Sequence, residues 1–292
     1  MFDLTGWEII NIGCIIGAVW LFIVARNLLR ARHLFWWWIF VIGFRTLIRS
    51  RRLEPSIIRV QETVIPFGVS KEIVLIADMH LGVFKDAVFM QRVVNRINGL
   101  SWIDLILIAG DFTFEPTKDQ KLEELFAPLS QLRAPVYAVL GNHDVQKPGP
   151  ELTAELVNVL TKHGVKLLDN DIIWLGDSYL VWLDGLYTEN GDLSLLRELA
   201  HDKPSIVLSH SPDITLSYTA DERADLTLVG HTHCGQIRLP FIYKRFIPTR
   251  WDFDCGFSHE RLTELYITPW LGESILPLRI FNPPTIDLLH LY

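Results

Sequence analysis

From about Val60 onward, short uninterrupted apolar runs are each broken by a polar cluster. They are Ile73–Ala77 (IVLIA), Leu105–Ala109 (LILIA), Val136–Leu140 (VYAVL), Tyr179–Leu183 (YLVWL), Ile206–Leu208 and Leu226–Val229. Strands with one wet face alternate apolar and polar residues, so unbroken runs of this length predict strands covered on both faces. Between them, Val88–Ile97 and Leu152–Lys162 carry their apolar residues at helical spacing. Alternating strand and helix predicts an α/β body. From Arg238 the chain is richer in Pro and aromatics, with further strands expected at Leu265–Thr268 and Thr285–Leu291. No internal repeat and no linker divides the body.

The first fifty residues follow another pattern. Residues 9–25 (IINIGCIIGAVWLFIVA) contain no charge and lie between Trp7 and Arg26. As a helix they are long enough for a hydrocarbon layer of about 30 Å, so a transmembrane span is expected over about 9–25. A cleaved signal peptide needs a basic start, whereas this one carries Asp3 and Glu8. A second apolar stretch, Leu34–Phe44, holds Trp36, Trp37 and Trp38 and is followed by Arg45, Arg49, Arg51 and Arg52. Eleven residues are few for a span, while Trp and Arg suit a headgroup layer. An interfacial helix over about 34–48 is expected, with a two-span hairpin as the alternative. On the first arrangement the excess of Arg faces the cytoplasm and holds the body there, at the inner membrane. The expected division is a membrane anchor over 1–52 and a catalytic body over 53–292.

Charge sharpens that division. The net charge of −7 conceals a balance of +5 over residues 1–52 and −12 over the rest. An acidic body without an aromatic–basic stripe argues against nucleic acid as the partner. The three cysteines, Cys14, Cys234 and Cys255, lack C-x-x-C spacing, so neither a disulfide scaffold nor a zinc finger is expected, and a reducing compartment is permitted. Cys234 is expected to fill a tight turn.

The chemistry is expected at the strand ends. IVLIA is followed by Asp78 and His80, LILIA by Gly110-Asp111, and VYAVL by Gly141-Asn142-His143-Asp144. His210 follows the strand through Leu208, and Gly230-His231-Thr232-His233 follows Val229. In open α/β sheets ligands gather at the carboxyl ends of strands. One histidine after a strand carries little weight, and G-N-H-D alone is an acceptable turn. Five such elements in order bring only O and N donors to one rim, a set suited to Mn²⁺, Fe or Zn²⁺. The donors are too many for a single catalytic ion. They fit a pair sharing one carboxylate, which acidifies a water and clamps a phosphoryl group during in-line displacement.

The motifs ADMHLG at 77–82, GD at 110–111, AVLGNHD at 138–144, LSHSPD at 208–213 and VGHTHCGQIRLP at 229–240 resemble the calcineurin-like metallophosphoesterase superfamily. The branch most similar is that of the membrane-associated YaeI/YkuE-like bacterial phosphoesterases, whose tail is resembled by YITPWLGESILPLRIFNPPTIDLL at 266–289. The likeness spans roughly residues 60–292 and departs at Cys234, Trp270 and Thr285. It implies an α/β sandwich of two mixed sheets flanked by helices, more than the strand pattern alone establishes. It also implies two divalent ions, Mn²⁺ first, with Fe or Zn as alternatives. One would be held by Asp78, His80, Asp111 and His233, the other by Asp111, Asn142, His210 and His231. His143 would face the substrate as a catalytic residue, with Asp144 orienting it.

The expected function is hydrolysis of a phosphodiester or pyrophosphate bond on a lipid-linked or nucleotide-linked substrate. Within the superfamily, enzymes that cleave UDP-2,3-diacylglucosamine in lipid A synthesis supply a specific alternative. A retromer subunit of the same superfamily supplies another, a non-catalytic scaffold. Lys85, Lys118, Lys147 and Arg238 are candidate phosphate contacts. Val83, Phe84, Phe89 and Met90 are either groove or core, with core preferred.

Overall fold

The computed structural model describes residues 6–292 except 118, 146–151, 168–169, 184–191, 200–201, 240–242, 248 and 250–252. The side chains of 6–16, 18, 25, 28, 31, 245 and 246 are likewise outside the described set. The chain divides into two compact units, Met1–Arg49 and Ser50–Tyr292.

In the first unit, Gly6–Ile48 is one α-helix of 43 residues. At 1.5 Å per residue it is about 64 Å long. The second apolar stretch therefore continues the first helix, and no separate interfacial helix or hairpin turn follows Ala25. Residues 26–33 (RNLLRARH) contain neither Pro nor Gly and are mostly good helix formers, so nothing in them stops propagation. Among the described residues no helix is long and apolar enough to cross a membrane. Most side chains of the span expected at 9–25 lie outside the described residues. Of those that are described, Val19, Trp20, Leu21, Phe22 and Ile23 are exposed and Val24 is half-buried, and Leu34 to Phe40 are exposed as well.

The second unit contains two six-stranded mixed sheets. In the first, the strands lie in the order Arg59–Ile65, Thr285–Leu291, Lys71–Ile76, Leu105–Ala109, Val136–Val139, Val165–Leu167. Neighbours pair in parallel except where Thr285–Leu291 meets Lys71–Ile76. The second sheet runs Gly256–His259, Glu264–Ile267, Leu226–Val229, Ser205–Leu208, Tyr179–Trp182, Asp171–Trp174. Its two outermost pairings are antiparallel and its centre is parallel.

Successive strand residues point to opposite faces. Ile73, Leu75 and Ala77, with Leu105, Leu107 and Ala109, pack against Leu180, Trp182, Ile206, Leu208, Leu226 and Leu228 of the facing sheet. Val74, Ile76, Ile106 and Ile108 point outward and are covered by Phe89, Met90, Val93, Val94 and Ile97 of the helix Ala87–Asn98, and by Leu156, Val159 and Leu160 of Thr153–Lys162. On the other flank Val181 and Val207 pack on Leu196, Ile214 and Tyr218. The runs are apolar because both faces are covered, and the one polar residue among them, Thr227, is buried with its hydroxyl bonded to Tyr218 and Thr263. Phe89 and Met90 are core residues, while Val83 is exposed.

Asp86 starts the helix Ala87–Asn98 by accepting the Phe89 amide at 2.9 Å, a standard N-cap. Cys234 is not a turn filler alone, because it forms a disulfide with Cys255. The pairing joins cysteines 21 residues apart, a separation with no local sequence signal.

Candidate metal centre

Where parallel strands end, the chain must bend before the next element can begin. Here it bends through left-handed backbone angles at Asp78 (φ 50°), His80 (49°), Asp111 (55°), His231 (64°) and His233 (56°). Asp and His enter this region more readily than most residues, and strain of this kind collects at functional sites. The motif glycines serve another need. A Cβ at Gly141 would overlap Asp111 Oδ1, and one at Gly230 would lie 2.5 Å from Asp78 Oδ2. Only glycine lets the two loops close on the carboxylates.

The donors then converge in two groups with Asp111 common to both. Asp78, His80, Asp111 and His233 place their ligand atoms within 4.8 Å of one another, and so do Asp111, His210 and His231. In the first group, His80 Nε2 lies 3.2 Å from Asp111 Oδ2 and 3.9 Å from Asp78 Oδ1, and His233 Nε2 lies 3.2 Å from Asp78 Oδ1. In the second, His210 Nε2 meets Asn142 Oδ1 at 3.0 Å, His231 Nδ1 at 3.0 Å and Asp111 Oδ2 at 3.4 Å. The remaining carboxylate oxygens hold backbone: Asp78 Oδ2 accepts the His231 amide at 3.1 Å, and Asp111 Oδ1 accepts the His143 amide at 2.8 Å. Two imidazoles are oriented from behind, His210 Nδ1 against Ala109 O at 2.7 Å and His80 Nδ1 against Glu273 O at 3.3 Å.

The electrostatics show what the cluster lacks. Burial pushes Asp78 up to about 7, with the neighbouring Asp111 adding to the effect. Burial also acts on Asp111, but His210 and His80 outweigh it and hold this carboxyl well below the usual range. His210 is opposed by burial, yet Asp111 and Asp78 raise it to about 10. Burial, reinforced by His80 and His231, holds His233 well below an ordinary imidazole. Thus two buried carboxyls are balanced by a proton on His210 and a proton close at hand on Asp78. Asp78 Oδ1 has no hydrogen-bond partner among the described residues. Divalent cations bound by these donors would displace the protons and supply the missing charge, so the set fits a metal pair.

His143 lies in neither group. Its ring is 5.0 Å from that of His80 and 5.1 Å from that of Phe114, which itself stacks on His80 at 5.3 Å. Burial lowers its pKa. Asp144 does not orient the His143 ring. Its Oδ2 accepts the amides of Gly141 (2.9 Å) and Phe112 (3.1 Å), and its Oδ1 accepts the amide (2.9 Å) and hydroxyl (3.2 Å) of Thr113. It ties the second and third loops together, because a fully buried carboxylate must find donors and loop amides are the nearest ones.

The weaker candidates fare differently. Lys85 is buried, pairs with Glu273 at 3.2 Å and donates to Pro55 O at 3.0 Å, so it is spent on the scaffold rather than on a phosphate. Arg238 sits beside the last motif, donating to Cys234 O at 3.0 Å and pairing with Asp254 at 3.1 Å over the Tyr243 ring. Lys118 and Lys147 lie outside the described residues. Sequence reasoning marked the tail at 266–289 as a resemblance but gave this loop no role at the site: Trp270 stacks on His233, and Asn282 Nδ2 donates to His233 O at 3.0 Å. Its one signal was the phrase PWLGE at 269–273, which follows a strand as the other motifs do.

With that geometry in place, the Calcineurin-like phosphoesterase family model matches residues 71–235. The chain is similar to the metallophosphoesterase YkuE of Bacillus subtilis, 32% identical over 83% of this chain and 88% of that protein. It is similar to phosphodiesterase YaeI of Escherichia coli, 29% identical over 64% of this chain and 70% of that protein. It is also similar to the UDP-2,3-diacylglucosamine pyrophosphatase LpxG of Chlamydia trachomatis, 26% identical over 84% and 92%. Against the Helicobacter pylori metallophosphoesterases that it also matches, the chain spans 59% of their length.

Proposed function

The chain belongs to the calcineurin-like phosphoesterase family, and from that premise we propose that it hydrolyses a phosphodiester or pyrophosphate bond with the help of two divalent cations. The observation that carries this reading is the pair of donor groups sharing Asp111. Asp78, His80, Asp111 and His233 would hold one cation, and Asp111, Asn142, His210 and His231 the other. Mn²⁺ is the first choice, with Fe or Zn as alternatives, since the donors are imidazole, carboxylate and amide without thiolate. When bound, such a pair polarises phosphoryl oxygens and acidifies water.

The rest is done by the chain itself. Asp111 holds the His143 amide, which fixes where the His143 ring can reach relative to the centre. That ring presents an N–H to the phosphoryl or leaving oxygen, the contribution expected of a positioned acid–base side chain. Asp144 keeps the two loops that carry Asp111 and His143 in register.

The substrate is proposed to be lipid-linked or nucleotide-linked and the body to work at a membrane, on its cytoplasmic face. Support comes from the exposed apolar side chains described between Val19 and Ile48 and from the excess of Arg in the same stretch and just after it. Large exposed apolar surface is rare on a protein that meets only water. The similarity to LpxG makes UDP-2,3-diacylglucosamine the first specific substrate to try.

The test uses the detergent-solubilised full chain loaded with Mn²⁺. Bis(p-nitrophenyl) phosphate should be hydrolysed, and chelator should abolish the activity. Incubation with UDP-2,3-diacylglucosamine should release UMP; no UMP above the metal-free control removes that substrate, and no hydrolysis of any phosphodiester or pyrophosphate in a product survey removes the enzymatic reading.

A further inference from the structure

Metal-ligating histidines are normally aimed by a hydrogen bond to the ring nitrogen that faces away from the metal. His80 and His210 have such a bond, to the carbonyls of Glu273 and Ala109. His233 does not: among the described residues none hydrogen-bonds to its Nδ1. Instead its imidazole lies flat on the indole of Trp270, with ring centroids 3.3 Å apart and planes inclined by 13°. The same indole meets His80 edge-on at 5.2 Å and 84°. Trp270 thus touches both histidines of the first donor group.

The indole is itself held in place. Trp270 is fully buried, and the Arg279 guanidinium lies 5.2 Å from its ring centroid. Arg279, also fully buried, donates to Trp270 O at 2.8 Å, to Asn282 O at 2.7 Å and to Gly272 O. Asn282 in turn donates to the carbonyl of His233. A buried indole N–H usually finds an acceptor, yet Trp270 Nε1 has none among the described residues. Among the described residues its contacts at the site are thus made by the ring and not by the N–H.

We propose that Trp270 is a positioning residue that aims His233 at the cation of the Asp78–His80–Asp111–His233 group, in place of the missing hydrogen bond. The inference rests on the two-cation reading above. It predicts an asymmetry that loss of packing in general would not produce, because in the second group His210 is aimed by Ala109 O and, among the described residues, neither His210 nor His231 makes a ring contact with the indole.

The experiment loads detergent-solubilised wild type, Trp270→Leu, Trp270→Met and Trp270→Phe chains with Mn²⁺ after chelator treatment. Bound metal is counted by elemental analysis, and the Mn²⁺ signal is followed by electron paramagnetic resonance. Wild type should hold two equivalents with a spin-coupled signal. Trp270→Leu and the longer, unbranched Trp270→Met should keep one equivalent at wild-type affinity, lose affinity for the other by about 10–100-fold and show an uncoupled signal. Trp270→Phe, which keeps a flat face, should stay coupled. Two coupled equivalents at wild-type affinity in either folded aliphatic variant would overturn the proposal alone. A wild-type chain that takes up no Mn²⁺ would instead overturn the metal-centre reading beneath it.

Discussion

Replacing Asp111 by Asn keeps the shape of the residue and deletes the one charge that both donor groups share. Its Oδ2 lies 3.2 Å from His80 Nε2 and 3.4 Å from His210 Nε2, so a single substitution acts on both groups. A ligand that binds only the folded chain stabilises it by RT ln(1 + [L]/Kd), about 2.7 kcal/mol per site at a hundredfold excess over Kd. Two sites filled together then give about 5 kcal/mol. In a body of this size that corresponds to a rise in Tm of about 10–20 °C when Mn²⁺ is added to the chelator-treated wild type. Asp111→Asn should rise by no more than about 3 °C and should retain well under one equivalent of metal. Without metal the variant should also be weaker by roughly 3 kcal/mol, since His210 loses the partner that holds its proton. Thermal unfolding by circular dichroism, paired with elemental analysis and turnover of bis(p-nitrophenyl) phosphate, reads all of these. A variant with a full Mn²⁺-induced rise and normal turnover would refute the shared-carboxylate argument.

His143→Ala should keep two equivalents of metal while kcat falls by about 10²–10⁴, the range for a positioned acid–base group; loss of metal instead would place His143 among the ligands. Asp144→Ala strands the amides of Gly141, Phe112 and Thr113, so urea unfolding should show a loss of about 2–4 kcal/mol, and an unchanged midpoint would show that the loops are tied elsewhere. Asp287 is fully buried and accepts from Tyr266 and Thr268, and burial raises its pKa from 3.8 to about 7. The folded chain therefore binds this proton more tightly than the unfolded chain. Its contribution is full below about pH 4 and is lost as pH rises towards 7, on the order of 4 kcal/mol in all. Asp287→Asn should flatten that part of the stability–pH profile, and an Asp287→Asn profile as steep as wild type over pH 4–7 would assign the dependence to other groups.

The strands covered on both faces were legible because burial on two sides forces every residue of Leu105–Ala109 to be apolar, and leaves Leu226–Val229 only Thr227, whose hydroxyl is bonded to Tyr218 and Thr263. Edge strands were harder. Arg59–Ile65 and Asp171–Trp174 are only partly covered, and their mixed composition carries no such signal. The site donors were legible for a related reason: each stands directly after a buried run, where the chain has to leave the sheet. The supporting residues were not. Lys85 has the composition of a surface phosphate contact, and only the fold brings Glu273 and the Pro55 carbonyl to it. Asp144 stands beside His143 in the chain, but its carboxylate turns the other way, to the amides of two loops.

The order of residues alone determined the α/β class, the five rim motifs and the donor chemistry, because periodicity and residue type are local properties that a chain carries with it unfolded. Tertiary structure decided what lies across space. It joined Asp111 to donors from different strand ends, set Trp270 against His233 and paired Cys234 with Cys255. It also ran the two N-terminal apolar stretches into one helix. Partners brought together by folding leave no imprint on sequence spacing, since their separation along the chain is set by loops and crossovers rather than by the contact itself.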